Sequence, residues 1–164
     1  SVAWYPGTVL FEATNLSGGR GTAAHFRQVG APWLDPAPVV RLVPPGLVRL
    51  ATTRFTPFQP GDGKYADVTV AGVAFPAFTR TPGLVAQCLA WRRSPPATGR
   101  GCESDPVEAA LALLDAIRRV HPDSLRVDAT GLALRLGVAP GTRGAWQARL
   151  ARFMVRRRRY LLYR

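Results

Sequence analysis

The sequence predicts an α+β fold, with a small mixed or antiparallel sheet and two main helices packed on it. Three observations lead there. Helix-like and strand-like stretches do not alternate regularly, which argues against a doubly wound parallel sheet. Residues 67–75 set Val68 and Val70 against Thr69, Ala71, Val73 and Phe75, the clearest two-residue period in the chain. Two stretches, near 105–121 and 143–159, carry apolar side chains at helical spacing.

The elements follow in order. Residues 6–12 read as a short strand, with Val9 and Phe11 on one face and Thr8, Leu10 and Glu12 on the other. A polar, glycine-rich turn runs from Asn15 to Gly21. Residues 23–30 read as a short helix or turn closed by Gly30-Ala31-Pro32. The proline-rich run 35–46 leaves room for at most a short helix. Residues 47–55 are rich in β-formers, and Gln59-Pro60-Gly61-Asp62-Gly63 marks a turn. Residues 80–104 read as an irregular insertion.

The best helix comes next. Asp105 suits the N-cap, Pro106 the first turn, and Glu108 the third position of a capping box. Val107, Ala110, Leu111, Leu114 and Ile117 form its apolar stripe. Asp115 faces Arg118 and Arg119, a contribution of only tenths of a kcal/mol, about 0.2–0.5 per pair. His121-Pro122 ends the helix, where a charged His121 would suit the dipole. Two short β-like pieces, 125–127 and 132–135, precede Gly137. The last helix is expected to carry Trp146, Leu150 and Phe153 inward.

Bulk properties bound the function. The chain has 164 residues and is 47% hydrophobic, enough for one domain with an ordinary core. No apolar run approaches the ~20 residues of a membrane span. The start, Ser1-Val2-Ala3-Trp4-Tyr5-Pro6, lacks the charged head and apolar middle of a leader and reads as the interior of a longer protein. The net charge of +12 points at first to an anionic partner. Lys64 is the only lysine, however, and Ala, Gly, Pro and Val abound. That bias is what a GC-rich gene produces without selection for charge. Cys88 and Cys102 flank a Pro/Gly/Arg-rich stretch. They form either a disulfide in an exported protein or two free thiols. Neither a metal nor a cofactor is expected.

The densest chemistry lies between Glu12 and Thr22. A carboxylate is followed within ten residues by Thr14, Asn15, Ser17, Arg20 and Thr22, set among three glycines. Glycine lets backbone approach a ligand and adopt positive φ. Arginine can grip a carboxylate or phosphate with two parallel bonds. A turn whose side chains cap their own backbone would have the same composition. A phosphate loop is excluded, because Arg20 precedes Gly21 and no Lys-Ser/Thr pair follows.

The string from Tyr5-Pro6-Gly7-Thr8 through Glu12-Ala13-Thr14-Asn15-Leu16-Ser17-Gly18-Gly19-Arg20-Gly21-Thr22, with Phe26 and Gly30-Ala31-Pro32-Trp33-Leu34-Asp35, resembles the NamZ family of exo-β-N-acetylmuramidases. Phe55-Thr56-Pro57, Lys64-Tyr65-Ala66, Gly72-Val73, Arg119-Val120-His121-Pro122 and the terminal Phe153, Arg157 and Tyr160-Leu161-Leu162-Tyr163 continue the likeness. It spans nearly the whole chain except residues 80–104.

The resemblance implies a two-domain enzyme that removes terminal N-acetylmuramic acid from peptidoglycan fragments. The active cleft would lie between a Rossmann-like N-terminal domain and an α+β C-terminal domain. Residues 1–164 would be the C-terminal domain alone, with the main catalytic carboxylate in the absent N-terminal domain. An exported, periplasmic or extracellular location is implied as well. Glycoside hydrolysis usually needs two carboxyl groups, about 5–5.5 Å apart for retention or about 6.5–9.5 Å for inversion. Glu12 is the only one in the motif, so it is expected to act in support, orienting a sugar hydroxyl or pairing with Arg20. Arg20 is the candidate for the lactyl carboxylate of muramic acid. Thr14, Asn15, Ser17, Gly21 and Thr22 are the other candidate sugar contacts, and Lys64 and Tyr65 would line the opposite side.

The chain departs from the family pattern at Ala13, where glycine is usual, at His25, where proline is common, and through residues 80–104. Two rival readings remain. One is a nucleic-acid or anion-binding module, on the strength of Arg156-Arg157-Arg158-Arg159 beside Tyr160 and Tyr163. Four consecutive helical residues point in different directions, however, and make no single stripe. The other is a non-catalytic binder of wall sugars.

Overall fold

The structure is a computed structural model that describes residues 3–77, 105–137 and 143–160. The expected insertion at 80–104, with Cys88 and Cys102, lies outside the described residues. The chain forms two compact units, Ser1–Arg126 and Val127–Arg164.

The first unit opens with α1 (Tyr5–Thr8), continued by a 3-10 turn over Val9–Ala13. The strand expected at 6–12 is therefore helical. Pro6 sets a helical φ in the first turn, and the amides of Gly7 and Thr8 both donate to the Trp4 carbonyl, at 3.0 and 2.9 Å. The Thr8 hydroxyl donates to the same carbonyl at 3.0 Å. Burial of Gly7, Thr8, Leu10, Phe11 and Ala13 follows helical spacing, and the apparent alternation at Val9 and Phe11 carried no strand information.

The sheet has three antiparallel strands, β1 (Gln28–Ala31), β2 (Ala51–Phe55) and β3 (Val70–Ala74), in the order β1-β3-β2. The α+β class holds. β2 and β3 fall inside the expected runs 47–55 and 67–75. β1 replaces the end of the helix or turn expected at 23–30, since residues 21–26 turn and the chain then extends. Gly30 and Gly72 face each other in the register, and the Phe55 ring covers both. A Cβ on Gly72 would lie 2.4 Å from the Val29 carbonyl oxygen, so the pair lets two strands and a ring come together. Val29, Ala31, Val73 and Phe75 fill the opposite face.

Two helices close the unit. α2 (Pro36–Leu42) is capped by Asp35, which accepts from the Ala37 amide at 3.2 Å, and lies on β2 and β3. α3 (Pro106–Val120) is capped by Asp105, which accepts from Val107 and Glu108 at 2.9 and 3.2 Å. It packs on α1 and α2 through Ala109, Ala110, Leu113, Leu114, Ala116 and Ile117. The buried stripe is thus turned slightly from the expected one, leaving Val107 and Leu111 half-buried. Asp115 pairs with Arg119 at 2.9 Å, and both are exposed. His121 ends the helix, and its Nε2 accepts the Asp35 amide at 3.0 Å. The edge of Trp33 meets the same ring, with centroids 5.5 Å apart.

The second unit holds α4 (Ala129–Leu136), α5 (Arg143–Arg157) and a closing 3-10 turn, Arg158–Tyr160. The β-like piece expected at 132–135 is helical. Asp128 caps the Thr130 amide at 3.1 Å, and Gly137 ends the helix at φ +69°. Phe153, expected inward, is 49% exposed, while the side chains of Trp146 and Leu150 lie outside the described ones. No helix among the described residues is long and apolar enough to cross a membrane.

The tightest approach is between α1 and α3. A Cβ on Gly7 would lie 1.8 Å from the Pro106 carbonyl oxygen. Gly7→Ala should therefore lower stability by about 1–3 kcal/mol, read as a fall in the urea midpoint. Gly46→Ala, where nothing lies within 4 Å, should leave the midpoint in place.

Candidate functional site

The polar run Thr14–Thr22 does not stand free of the fold. It follows the 3-10 turn and lies along the outer edge of β1. Ser17 and Gly30 exchange backbone hydrogen bonds at 2.9 and 3.0 Å, a single bridge that covers the strand edge. The Asn15 amide group is fixed on both sides, donating to the Ser124 carbonyl and accepting from the Arg126 amide, each at 2.9 Å. Leu16 between them is fully buried.

A second loop, residues 57–67, is drawn onto this run. Lys64 donates through Nζ to the carbonyls of Glu12, Thr14 and Leu16, at 3.3, 2.7 and 3.2 Å. An ammonium has three donors, and three carbonyls surround it. The Tyr65 hydroxyl donates to the Asn15 carbonyl at 2.7 Å. The Phe58 amide donates to the Gly21 carbonyl at 3.0 Å. Gly21 has φ +74°, and a Cβ there would lie 2.3 Å from the Phe58 carbonyl oxygen. Only glycine lets the two loops meet at that point.

Hydroxyl groups of the run point inward. Thr14 and Ser17 are buried; Thr14 donates to the Phe11 carbonyl at 2.7 Å, and Ser17 accepts from the Gly19 amide at 3.2 Å. Thr22 donates to the Gly19 carbonyl at 2.7 Å and accepts from Gln28 Nε2 at 2.9 Å. Of the residues singled out in the sequence, Thr14, Asn15, Ser17, Gly21, Thr22, Lys64 and Tyr65 all hold the loops in shape.

Glu12 and Arg20 are different. They form an ion pair, with side chains 24% and 37% exposed. The guanidinium also lies over the Phe26 ring, 4.9 Å from its centroid. The Glu12 carboxylate holds Arg20 protonated beyond its ordinary range, against a smaller opposing effect of burial, with Asp62 and Tyr5 adding to the field. Among the described residues, Arg20 forms one side-chain hydrogen bond, to Glu12, and a guanidinium has five N–H donors.

Sequence reasoning missed the rings that frame this pair. Tyr5 meets Phe26 edge-on at 4.8 Å, and the exposed His25 meets it at 5.2 Å. It also missed the backbone. Phe26, Gln59, Tyr65 and Asp67, none of them glycine, have φ between +43° and +60°. Such residues cost of order 1–3 kcal/mol each and cluster where function demands a shape. Phe26, six positions after Arg20, was a usable signal for the ring contact, but no local pattern marks a left-handed tyrosine. Among the described residues no group of three His, Cys, Asp or Glu could hold a metal ion.

The dependence of this surface on one ammonium is measurable. Lys64→Met should cost about 1–3 kcal/mol by leaving three carbonyls without their charged donor. Hydrogen exchange at the amides of residues 14–19 should accelerate with it; unchanged exchange would show that the loop holds its shape without the lysine.

Comparison with known proteins places the chain. Residues 3–163 match the family described as exo-beta-N-acetylmuramidase NamZ, C-terminal. No curated protein matches. Among solved structures, the crystal structure of a DUF1343 family protein from Bacteroides fragilis is similar, with a TM-score of 0.44 and 20% identity. The similarity covers 99% of this chain and 40% of that one, so the chain spans well under half the length of that relative. With the family matched over nearly its whole length, the chain belongs to the NamZ C-terminal family.

Proposed function

We propose that the chain is the C-terminal, cleft-forming domain of an exo-β-N-acetylmuramidase, and that its Glu12–Arg20 surface holds the terminal N-acetylmuramic acid of a peptidoglycan fragment. A Rossmann-like N-terminal domain supplies the main catalytic carboxylate and the other side of the cleft.

One observation carries the reading: Arg20 presents a charged, partly exposed fork that is oriented by Glu12 and by the Phe26 face. Muramic acid differs from glucosamine by a lactyl carboxylate, the group a guanidinium binds with two parallel bonds. Glu12 then acts in support, fixing Arg20 and accepting from a sugar hydroxyl. The exposed ring of Tyr5 offers an apolar surface to the sugar face. Thr14, Asn15, Ser17, Gly21, Thr22, Lys64 and Tyr65 serve the ligand indirectly by shaping the loops.

The chemistry also supports a divided active site. Glu12 is paired with Arg20 and is the only carboxylate between residues 12 and 22. A partner acid elsewhere satisfies the need for two carboxyl groups.

Calorimetric titration tests the specificity. The chain should bind N-acetylmuramic acid more tightly than N-acetylglucosamine. Arg20→Ala should weaken the first by roughly 10-fold or more, about 1.4 kcal/mol, and change the second little. An equal loss on both sugars would overturn the role of Arg20. The chain alone should release no muramic acid from wall fragments, and release would refute the divided site.

A further inference from the structure

The second unit carries charge that the Glu12–Arg20 surface does not use. Residues 129–164 contain no Asp or Glu and nine arginines, at 135, 143, 149, 152, 156, 157, 158, 159 and 164. On α5 the arrangement is ordered. Arg149, Arg152, Phe153 and Arg156 line one groove of about 410 Å³. Their spacing of i, i+3, i+4 and i+7 puts them on one helix face, over about 10 Å of its length. The four consecutive arginines at 156–159 are scattered around the helix; this stripe is drawn mostly from earlier in the chain.

All four groove residues are exposed. Among the described residues, Arg149, Arg152 and Arg156 form no ion pair with a carboxylate. Arg149 reaches the Gly137 carbonyl at 3.5 Å, and Arg152 Nε reaches the Ala148 carbonyl at 3.4 Å. Both bonds are long, and most of the N–H groups of each fork remain available.

We infer that this groove is a second anion-binding site, which takes the carboxylates of an extended, uncleaved glycan strand. The inference rests on the reading of the chain as a wall-sugar domain. Charge complementarity requires a polyanion. The aromatic placement then favours a glycan over a nucleic acid. Single-strand binders stack successive bases on a series of rings. Among the described side chains, one ring, Phe153, stands in the groove between arginines, and the next, Tyr160, follows seven residues later. A muramic-acid polymer alternates charged and uncharged sugars, so a single apolar face between carboxylates matches a single ring between forks. The site would hold the polymer by several weak contacts and raise the local concentration of chain ends.

The test compares the chain with its Arg149→Gln/Arg152→Gln/Arg156→Gln variant. The probes are peptidoglycan glycan strands stripped of stem peptides, the neutral β-1,4-linked N-acetylglucosamine octamer, a thymidine oligonucleotide, and free N-acetylmuramic acid. Strand binding should fall at least 10-fold in the triple variant and fall steeply with salt. Phe153→Ala, which keeps every charge, should weaken strand binding several-fold. Free N-acetylmuramic acid should bind both proteins equally. Undiminished strand binding by the triple variant would overturn the site. So would tighter binding of the oligonucleotide than of the strands by the parent chain. If Arg20→Ala leaves monosaccharide binding intact while the triple variant still loses the strands, the terminal-sugar reading fails and this one stands.

Discussion

The ammonium of Lys64 is the constraint on which the candidate site depends. It gathers the carbonyls of Glu12, Thr14 and Leu16 around one point charge. Those carbonyls come from a segment that leaves a 3-10 turn and has one backbone bridge to the sheet edge. Without a donor of their own they would need water, and water would let the segment move. A charge bound to three carbonyls removes that freedom, because charge-assisted bonds are about twice as strong as neutral ones. Tyr65, the next residue, adds its hydroxyl to the Asn15 carbonyl. The loop over 57–67 and the polar run are therefore one structure.

What that structure presents is narrow. Most polar groups of the run face inward and bond one another, and the side chains left outward are Glu12, Arg20 and the rings beside them. A site built this way separates two tasks. Inward groups fix the shape, and a single oriented cation, Arg20, is left partly exposed. Four non-glycine residues in the left-handed region fit the same picture, since packed surroundings must hold each of them there. The glycines answer a different demand. Gly7, Gly21, Gly30 and Gly72 stand where another backbone or ring comes too close for a side chain.

Arginine recurs with two meanings. Arg20 is paired, stacked and held by a carboxylate, which suits one specific anion. Arg149, Arg152 and Arg156 lie in an acid-free segment along a helix, which suits repeated anions of lower individual specificity. The overall charge of +12 reads as compositional until the residues are placed. The placement on α5 gives part of it an ordered form.

Legibility followed locality. The α+β class, the cap at Asp105, the strands β2 and β3, and the polar motif were legible wholly or in part, because each rests on neighbours in the chain. The Asp128 cap shows the limit, since it starts a helix at a place that Leu132 and Leu134 make look like a strand. Residues 6–12 failed for a related reason: two apolar residues in alternation fit a strand, while Pro6 in the first turn and packing against α3 favour the helical turn. By itself the sequence determined where in the chain the polar and charged side chains cluster. Only the tertiary structure decided that Asn15, Ser17 and Thr22 commit their polar groups to hydrogen bonds within the protein and that Lys64, some fifty residues away, closes the loop. Hydrogen-bond partners distant in sequence are set by the path of the whole chain, and no local pattern records that path.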